Sequence, residues 1–372
     1  MARVPGPRPT GWRRSFALFQ PFFATRLYQL TLPRNAAPPD GFTPTDMWPG
    51  DGNRGAVIVK GDFEFAGQAI READAPWLAA GISTEWLEAI STFDWLRDLR
   101  ASGSDAARSR ARALVYRWAD SHGSWNAIAW QPGPLGARVA NWLGHREFLL
   151  AGSDLAFQDS YFLSLRRQTR HLQRVAGFAA AGTTRIVVLK GLIYAALTFN
   201  NPKLLSRWIR LLQKETDQLI LGDGGNLMRN PSQQLAIMRH LIDIRSALRD
   251  GQQEVPHWLQ TTIDRMAPML RFFRHGDGGL ALFNGSHEEE GLLLDVVLTR
   301  SEARGKALES APHSGFERLV ANRTAIIMDV GSAPPPGVDS LAHAGALSFE
   351  MSVGKDRLVV NCGAHQGDNA AW

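Results

Sequence analysis

The hydrophobic and polar residues of this chain follow two different periods along its length. Between about residues 93 and 274, apolar residues recur every three to four positions, as they do on the buried face of a helix. Leu205, Trp208 and Leu212 form one such face. Several of these segments begin at a proline, such as Pro231, and end near a glycine, which is typical of helix boundaries. The pattern predicts seven or more helices in series, packed as antiparallel pairs.

The pattern after residue 274 is that of strands. In ALSFEMSV (346–353), apolar residues such as Phe349 and Met351 alternate with polar ones, which predicts a half-buried strand with its apolar side inward. A turn at 354–356 then leads into RLVVNCG, so a β-hairpin is predicted here. The segments HGDGGLALFNG, EEGLLLDVVLTR and ERLVANRTAIIMDVG are also short and bounded by turn residues. We therefore expect an antiparallel, all-β region after residue 274.

These periods divide the chain into three parts. Residues 1–92 form an irregular segment that packs on the helices, residues 93–275 form a helical domain, and residues 276–372 form an antiparallel β domain. The chain ends at Trp372, directly after a predicted strand, and such an end would leave an open sheet edge. We expect the β domain to be incomplete in this chain.

Composition narrows the classes of function. Hydrophobic residues make up 44% of the chain and charged residues 21%, which is ordinary for a globular protein. The net charge of +5 is compatible with an acidic ligand, but no run of five like charges appears, and no nucleic-acid partner is predicted. The single cysteine, Cys362, excludes an internal disulfide and a cysteine-based zinc site. No phosphate-binding, dinucleotide-binding, GxSxG or HExxH motif is present, so no cofactor is predicted.

The N-terminal residues decide the expected location. Their apolar part is interrupted by Gln20, Pro21 and Arg26, so no secretory signal is predicted. No stretch of about 20 apolar residues is free of charge, so no membrane span is expected. The cytoplasm is the expected compartment, with the periplasm as the alternative.

Three segments carry a resemblance to a known family. They are WQPGPLGARVANWLGHREFLL (130–150), GDGGNLMRNPSQQLAIMRHLIDIR (222–245) and AHAGALSFEMSVGKDRLVVNCG (342–363). In this order they resemble the heparinase II/III-like polysaccharide lyases. The resemblance implies an incomplete α/α toroid followed by an antiparallel β-sandwich, truncated here at its C-terminus. It also implies β-elimination of an acidic polysaccharide in the cleft between the two domains.

Such a reaction needs a group that neutralises the uronate carboxylate, a base that removes the neighbouring proton, and an acid for the departing oxygen. In the family, an Asn-His pair near a helix start and a tyrosine after an acidic DG segment commonly supply these roles. At the matching positions this chain has Thr183, Thr184 and Arg185 in place of the pair, and Gln233 or a neighbour in place of the tyrosine. The family's metal-binding His-x-Asp pattern is reduced to His343 followed by Gly345, so no metal site is predicted.

The remaining candidates each have two interpretations. Arg138 and Trp142 share a helix face, which is either a carboxylate clamp beside a sugar-stacking ring or ordinary core packing. Trp130 is open to the same alternatives. Tyr194 is either a base that reaches the cleft or a hydrogen-bonded core tyrosine. His343 is either a cleft-lining acid or a structural histidine.

The loop before the helix at residue 231 is open to two interpretations as well. Asn226, Arg229 and Asn230 there either bind an anion or stabilise a tight turn between helices.

The hypothesis with most support is a lyase acting on an acidic glycan. His343 and Asn226 would be nearest to the chemistry, and the predicted substrate-binding residues are Trp130, Arg138, Trp142, Arg185, Arg229 and Asn230. The alternative is a non-catalytic glycan-binding or cell-envelope-associated protein that has kept the cleft and lost the base. A third hypothesis is a helical scaffold without any concavity between its parts.

Overall fold

The computed structural model describes residues 11–71, 73–342 and 345–362. The helices are α1 (Gly11–Phe23), α2 (Arg26–Leu30), α3 (Gly52–Val59), α4 (Thr84–Ser91), α5 (Leu96–Ser102), α6 (Asp105–Ser121), α7 (Pro132–Gly144), α8 (Arg146–Leu150), α9 (Leu155–Val175), α10 (Thr183–Thr198), α11 (Pro202–Leu219), α12 (Pro231–Asp250), α13 (His257–Phe272) and α14 (Gly291–Arg300). The strands are β1 (Phe63–Phe65), β2 (Gln68–Ile70), β3 (Ser310–Ala311), β4 (Phe316–Ala321), β5 (Thr324–Asp329), β6 (Phe349–Val353) and β7 (Asp356–Val359). The predicted class, a helical toroid followed by an antiparallel sheet, is confirmed.

The helical region is built around α10, which packs against α7, α9, α11 and α12. This helix is apolar on nearly every side, and almost all of its residues from Ile186 to Thr198 are buried. It approaches α7 most closely where Gly136 and Gly191 face each other. A Cβ atom on Gly191 would lie 2.5 Å from the carbonyl oxygen of Gly136. The missing side chains therefore allow the two helix backbones to touch.

The sheet after the helices has five antiparallel strands in the order β3-β4-β5-β6-β7. The predicted hairpin at 354–356 is confirmed, with Val353 paired to Asp356. The prediction that the apolar side of β6 faces inward is wrong. Glu350 and Ser352 are buried against the helical region, whereas 39% of Phe349 is exposed. The polar positions point inward because a buried partner, His275, lies opposite them.

One other prediction of secondary structure needs correction. The segment EEGLLLDVVLTR is not part of an all-β region but forms α14, which packs on α12. Before residue 92, the helix α3 is capped by Asp51 and is followed by the short strands β1 and β2, which pair with each other. The exact domain boundaries at residues 92 and 275 stay predictions. None of the helices in the described ranges is long and apolar enough to cross a membrane.

Candidate functional site

A cavity of about 560 Å³ opens between the helices α4, α7, α10 and α12. Three of these helices begin at its rim. Gly133 and Pro134 stand in the first turn of α7, Thr183 and Thr184 in that of α10, and Gln233 in that of α12. Because helix N-termini carry unpaired N–H groups and a partial positive charge, this rim favours negatively charged or hydrogen-bond-accepting ligands.

The residues at each helix start explain why the three helices begin at this rim. Pro132 and Pro231 occupy first-turn positions, where a missing N–H costs no hydrogen bond. Asn230 caps α12, since its Oδ1 accepts a hydrogen bond from the backbone N–H of Gln233 at 2.8 Å. The chain turns into α10 at Gly182, whose φ of 88° is the left-handed conformation that glycine adopts without strain.

The positions that depart from the lyase pattern meet at this rim. Thr183 and Gln233 are joined by a hydrogen bond between the threonine hydroxyl and the glutamine side-chain oxygen. Both residues line the cavity, as does Thr184. The family resemblance thus points to the rim of this cavity, although the side chains there are neutral and Thr183 and Gln233 are hydrogen-bonded to each other.

The deeper wall of the cavity is charged. Lys190 Nζ lies 2.6 Å from Asp243 Oδ2, and the indole Nε1 of Trp48 donates to Asp243 Oδ1 at 2.7 Å. Arg97 lines the same wall and pairs with Asp46 at 2.9 Å. Removing one member of such a buried pair would leave the other without a partner, which is strongly destabilising.

His240 is the histidine that lines this cavity among the described residues. Burial lowers the pKa of His240 well below its usual range, and the nearby charges of Lys190, Arg239 and Arg97 lower it further. The imidazole is therefore neutral at pH 7, and its Nδ1 atom has no hydrogen-bond partner among the described residues. A neutral imidazole of low pKa is a weak base.

The tyrosines do not supply a base in this cavity. Tyr194 is buried, with its hydroxyl 3.5 Å from the backbone oxygen of Asp243. Burial and the charge of Asp243 raise the pKa of Tyr194 well above its ordinary value of 10.0. Within the described ranges, no tyrosine lines the cavity. Tyr194 is therefore the core residue that one of the two sequence interpretations foresaw.

The prediction that Arg138, Trp142 and Trp130 face a cleft is wrong. Arg138 has no exposed surface, and its guanidinium donates to Gln168 Oε1 at 2.7 Å and to two backbone oxygens at 2.8 Å each. It lies 3.9 Å from the centre of the Trp118 ring, and Trp142 meets the same ring edge-on. Trp130 is 1% exposed. Arg138 and Trp142 belong to the core because their face of α7 points to the neighbouring helices, and Trp130 is buried in the turn that precedes α7.

The loop residues Asn226, Arg229 and Asn230 are structural as well. Asn226 Nδ2 donates to the backbone oxygen of Asn230 at 2.9 Å and to Gln234 Oε1 at 3.0 Å. Arg229 has a φ of 56° and extends to the sheet, where it donates to Ser314 O at 2.7 Å and pairs with Asp329. With 1–7% of their surface exposed, these residues hold the loop and the sheet together rather than present groups to a ligand.

The roles of the two remaining predicted residues, Arg185 and His343, are not tested by the structure. Arg185 stands at the start of α10 with 32% of its side chain exposed, and it pairs with Glu215 at 3.3 Å. Its proposed contact with substrate stays a prediction. His343 lies outside the described residues, so its role stays a prediction too. No group of three metal-binding side chains occurs in the part of the chain that the structure describes.

Sequence reasoning missed the charged wall. The signal that could have found it is a polar stripe along α12, since Gln233, His240 and Asp243 follow one another at intervals of seven and three. These positions share one face of α12. A polar stripe inside a buried helix indicates a cavity or a buried network.

Comparisons with known proteins show a family match in the C-terminal part of the chain and a similar fold over most of its length. Residues 303–372 match the family described as "Heparinase II/III-like, C-terminal". The fold is similar to a crystal structure of heparinase III, with a TM-score of 0.63 and 13% identity over 81% of this chain and 53% of that one. It is also similar to the heparan sulfate lyase HepC from Pedobacter heparinus, with a TM-score of 0.54 and 17% identity over 96% of this chain and 62% of that one. The match over residues 303–372 and the shared fold confirm the resemblance to the heparinase II/III-like proteins.

A curated relative is more similar in sequence. FtsZ-localized protein C of Caulobacter vibrioides (strain NA1000 / CB15N) is 32% identical over 342 residues, which is 90% of this chain. The match covers 58% of that protein, so this chain spans a little over half the length of the relative.

Proposed function

We propose that this protein is a heparinase-like glycan-binding protein that holds an acidic glycan in the cavity at the start of α7, α10 and α12 without cleaving it. The observation that carries the proposal is the contact between Thr183 and Gln233. These residues stand where the lyase pattern calls for a carboxylate-neutralising pair and a tyrosine base. Neither a threonine hydroxyl nor an amide can take up the proton that β-elimination removes.

The shape of the region supports a glycan as the ligand. A second cavity of about 460 Å³ adjoins the first and shares Gly133, Pro134 and Thr184 with it. Volumes of several hundred cubic ångströms are typical of small-molecule sites. The three helix N-termini, together with Arg239 on the wall, favour a carboxylate-bearing sugar, whereas the carboxylates of Glu85 and Asp94 on the same lining act against it.

The second candidate function is lyase activity on a rebuilt set of residues, with His240 as the base. It is favoured by the unpartnered Nδ1 atom of His240 on the cavity wall. A low pKa disfavours it, because a weakly basic imidazole removes a carbon-bound proton slowly.

One experiment separates the two candidates. The protein is incubated with heparan sulfate, chondroitin, hyaluronan, alginate and polygalacturonate, while calorimetry reports binding and ultraviolet absorbance reports an unsaturated uronate product. We expect binding of at least one glycan without a rise in absorbance. Arg239→Gln should weaken that binding several-fold, whereas Arg323→Gln on the sheet should not. A rise in absorbance that His240→Ala removes would establish the lyase, and no binding of any glycan would contradict both candidates.

The curated relative suggests where the protein works. Because that relative is named for its localisation with FtsZ, and because 90% of this chain aligns with it, we propose that this protein is bacterial and also localises with FtsZ. A cytoplasmic location remains our proposal, with the periplasm as its alternative. A fluorescent fusion imaged together with labelled FtsZ tests both points, and a distribution that does not follow FtsZ would contradict the first.

A further inference from the structure

The charges of this chain are strongly segregated along one segment. Between Ser160 and Lys214 the sequence contains no aspartate or glutamate. The same segment contains ten basic residues, which are Arg166, Arg167, Arg170, Arg174, Arg185, Lys190, Lys203, Arg207, Arg210 and Lys214. In a chain with a net charge of only +5, such a segment concentrates positive charge in one place.

The fold brings most of this charge to one outer surface. Two of the ten residues, Arg185 and Lys190, belong to α10 and are paired with Glu215 and Asp243. The other eight stand on α9 and α11, which flank α10 on the outside of the helical region. None of these eight has a carboxylate within 4.0 Å in the part of the chain that the structure describes. The four on α9 contact neutral oxygens, such as Ala37 O, which lies 2.9 Å from Arg166, and Thr31 Oγ1, which lies 2.7 Å from Arg174.

An apolar pocket of about 180 Å³ opens in the middle of this basic surface. Its floor is formed by Ala195, Ala196 and Phe199 at the end of α10 and by Leu204 at the start of α11. Arg166 and Arg170 stand at its edge, and the guanidinium of Arg166 lies 4.7 Å from the centre of the Phe199 ring. The pocket is of a size to accept one apolar side chain.

The surface continues from the pocket along α11. Arg207, Leu211 and Lys214 follow Leu204 at intervals of three and four residues, so they lie on one helix face. Leu211 is 41% exposed, and both basic residues beside it are exposed. A ligand that leaves the pocket in this direction would meet alternating positive and apolar side chains.

We propose that the surface of α9 and α11 binds an acidic peptide segment of a partner protein, with one apolar side chain of the segment inserted into the pocket. Charge complementarity selects the acidic partner, since unpaired arginines bind carboxylates readily. The concave apolar floor favours a peptide over a lipid surface, because a flat bilayer does not enter a pocket. The site is separate from the glycan cavity: Thr183 and Ala196 stand at opposite ends of α10, about 20 Å apart at 1.5 Å per residue.

The test uses labelled peptides and fluorescence anisotropy with the full chain. One probe is a short peptide of Asp and Glu with a single central Phe, and the second has Ser in place of that Phe. We expect the Phe peptide to bind at low salt (about 50 mM) and to bind more weakly as salt screens the charges. The Ser peptide should bind several-fold more weakly because it lacks the apolar anchor.

Two charge-reversed variants make the test specific. Arg170→Glu/Arg207→Glu, at exposed positions beside the pocket, should weaken binding of the Phe peptide by roughly tenfold or more, as expected for two lost charge contacts. The matched control Lys306→Glu/Lys355→Glu changes the net charge equally at exposed positions outside this segment, and it should bind as the wild type does. Circular dichroism and thermal unfolding verify that both variants are folded.

Three outcomes would overturn the proposal. The first is no binding of the Phe peptide at low salt, and the second is equal loss of binding in both charge-reversed variants. The third is tighter binding of a single-stranded oligonucleotide or of phosphatidylglycerol vesicles than of the Phe peptide, which would assign the surface to a nucleic acid or a membrane instead.

Discussion

His275 and Glu350 are hydrogen-bonded at 3.0 Å between the end of the helical region and strand β6, and neither side chain has exposed surface. The other ring nitrogen of His275 contacts Ser352 Oγ at 2.9 Å. Glu350 Oε1 also accepts hydrogen bonds from the backbone N–H groups of Leu282 at 2.8 Å and Asn361 at 3.1 Å. This network fixes the sheet to the helices by polar contacts that exclude water.

We therefore expect Glu350→Gln to destabilise the protein by about 1–3 kcal/mol, because the amide puts a donor where several donors converge. The free energy of unfolding, measured by urea denaturation, checks this value. Glu309→Gln is the control, since Glu309 is exposed at the start of the same sheet. Equal stability of the Glu350 variant and the wild type would contradict the structural role of the network.

The same network explains which part of the fold could be predicted from the sequence. The hairpin followed from alternation and a turn, but alternation alone does not say which side of a strand is buried. The usual assumption, apolar side inward, fails here because Glu350 and Ser352 have a buried partner that is 75 or more residues away. The long helices were predicted because their periodicity is local. The helix α14 was missed because LLLDVVL suits a buried strand as well as a helix.

The sequence predicted the position of the cavity rim but not the side chains that line the cavity wall. Arg138 and Trp142 do share one helix face, but a helical period does not distinguish a face toward a cleft from a face toward other helices. Matching Thr183 and Gln233 to the lyase pattern located the cavity rim, because that comparison uses chain position and not side-chain chemistry. The polar stripe of α12 marks His240 and Asp243 in the sequence, but their place on the cavity wall follows only from the packing of α12 against α10.

The burial of Arg138 gives a second prediction. Arg138→Met removes the donors to Gln168, Ser91 and Ala129 and leaves three buried acceptors unpaired, so we expect a loss of about 3 kcal/mol or more. Urea denaturation measures the loss. Arg54→Met is the control, since the side chain of Arg54 is 60% exposed. If Arg138 were instead a ligand clamp, its substitution would lower glycan binding with little change in stability, and that result would refute the core assignment.

The close approach of α7 and α10 gives a third prediction. Gly191→Ala places a Cβ atom 2.5 Å from the carbonyl oxygen of Gly136, and only a shift of one helix can relieve this contact. Overpacking of this kind costs about 1–3 kcal/mol. Thermal unfolding of Gly191→Ala and of Gly177→Ala should therefore differ, because a Cβ atom on Gly177 meets nothing within 4 Å. A Gly191 variant as stable as the Gly177 variant would mean that the two helices are not packed this closely.

The buried histidines give the last prediction, which concerns pH. Burial lowers the pKa of His122 and His145 to about 4 and that of His171 to about 3, from an ordinary value of 6.5. Below pH 6.5 the unfolded chain takes up protons at these residues while the folded chain does not, so acid favours unfolding. We expect the free energy of unfolding to be insensitive to these groups above pH 7 and to fall as the pH drops from 6.5 to about 4. Each histidine contributes at most about 1.4 kcal/mol per pH unit in this range.

Urea denaturation between pH 7.5 and 4.5 measures this slope. His122→Gln removes one of the histidines of lowered pKa, which also include His240, and should make the slope shallower by up to the contribution of one proton, whereas His257→Gln at an exposed position should leave it unchanged. The comparison is between slopes, so a general loss of stability in the His122 variant does not affect it. A wild-type stability that stays constant or rises as the pH falls through this range would show that the histidines are protonated in the folded protein, against the burial that the structure gives them.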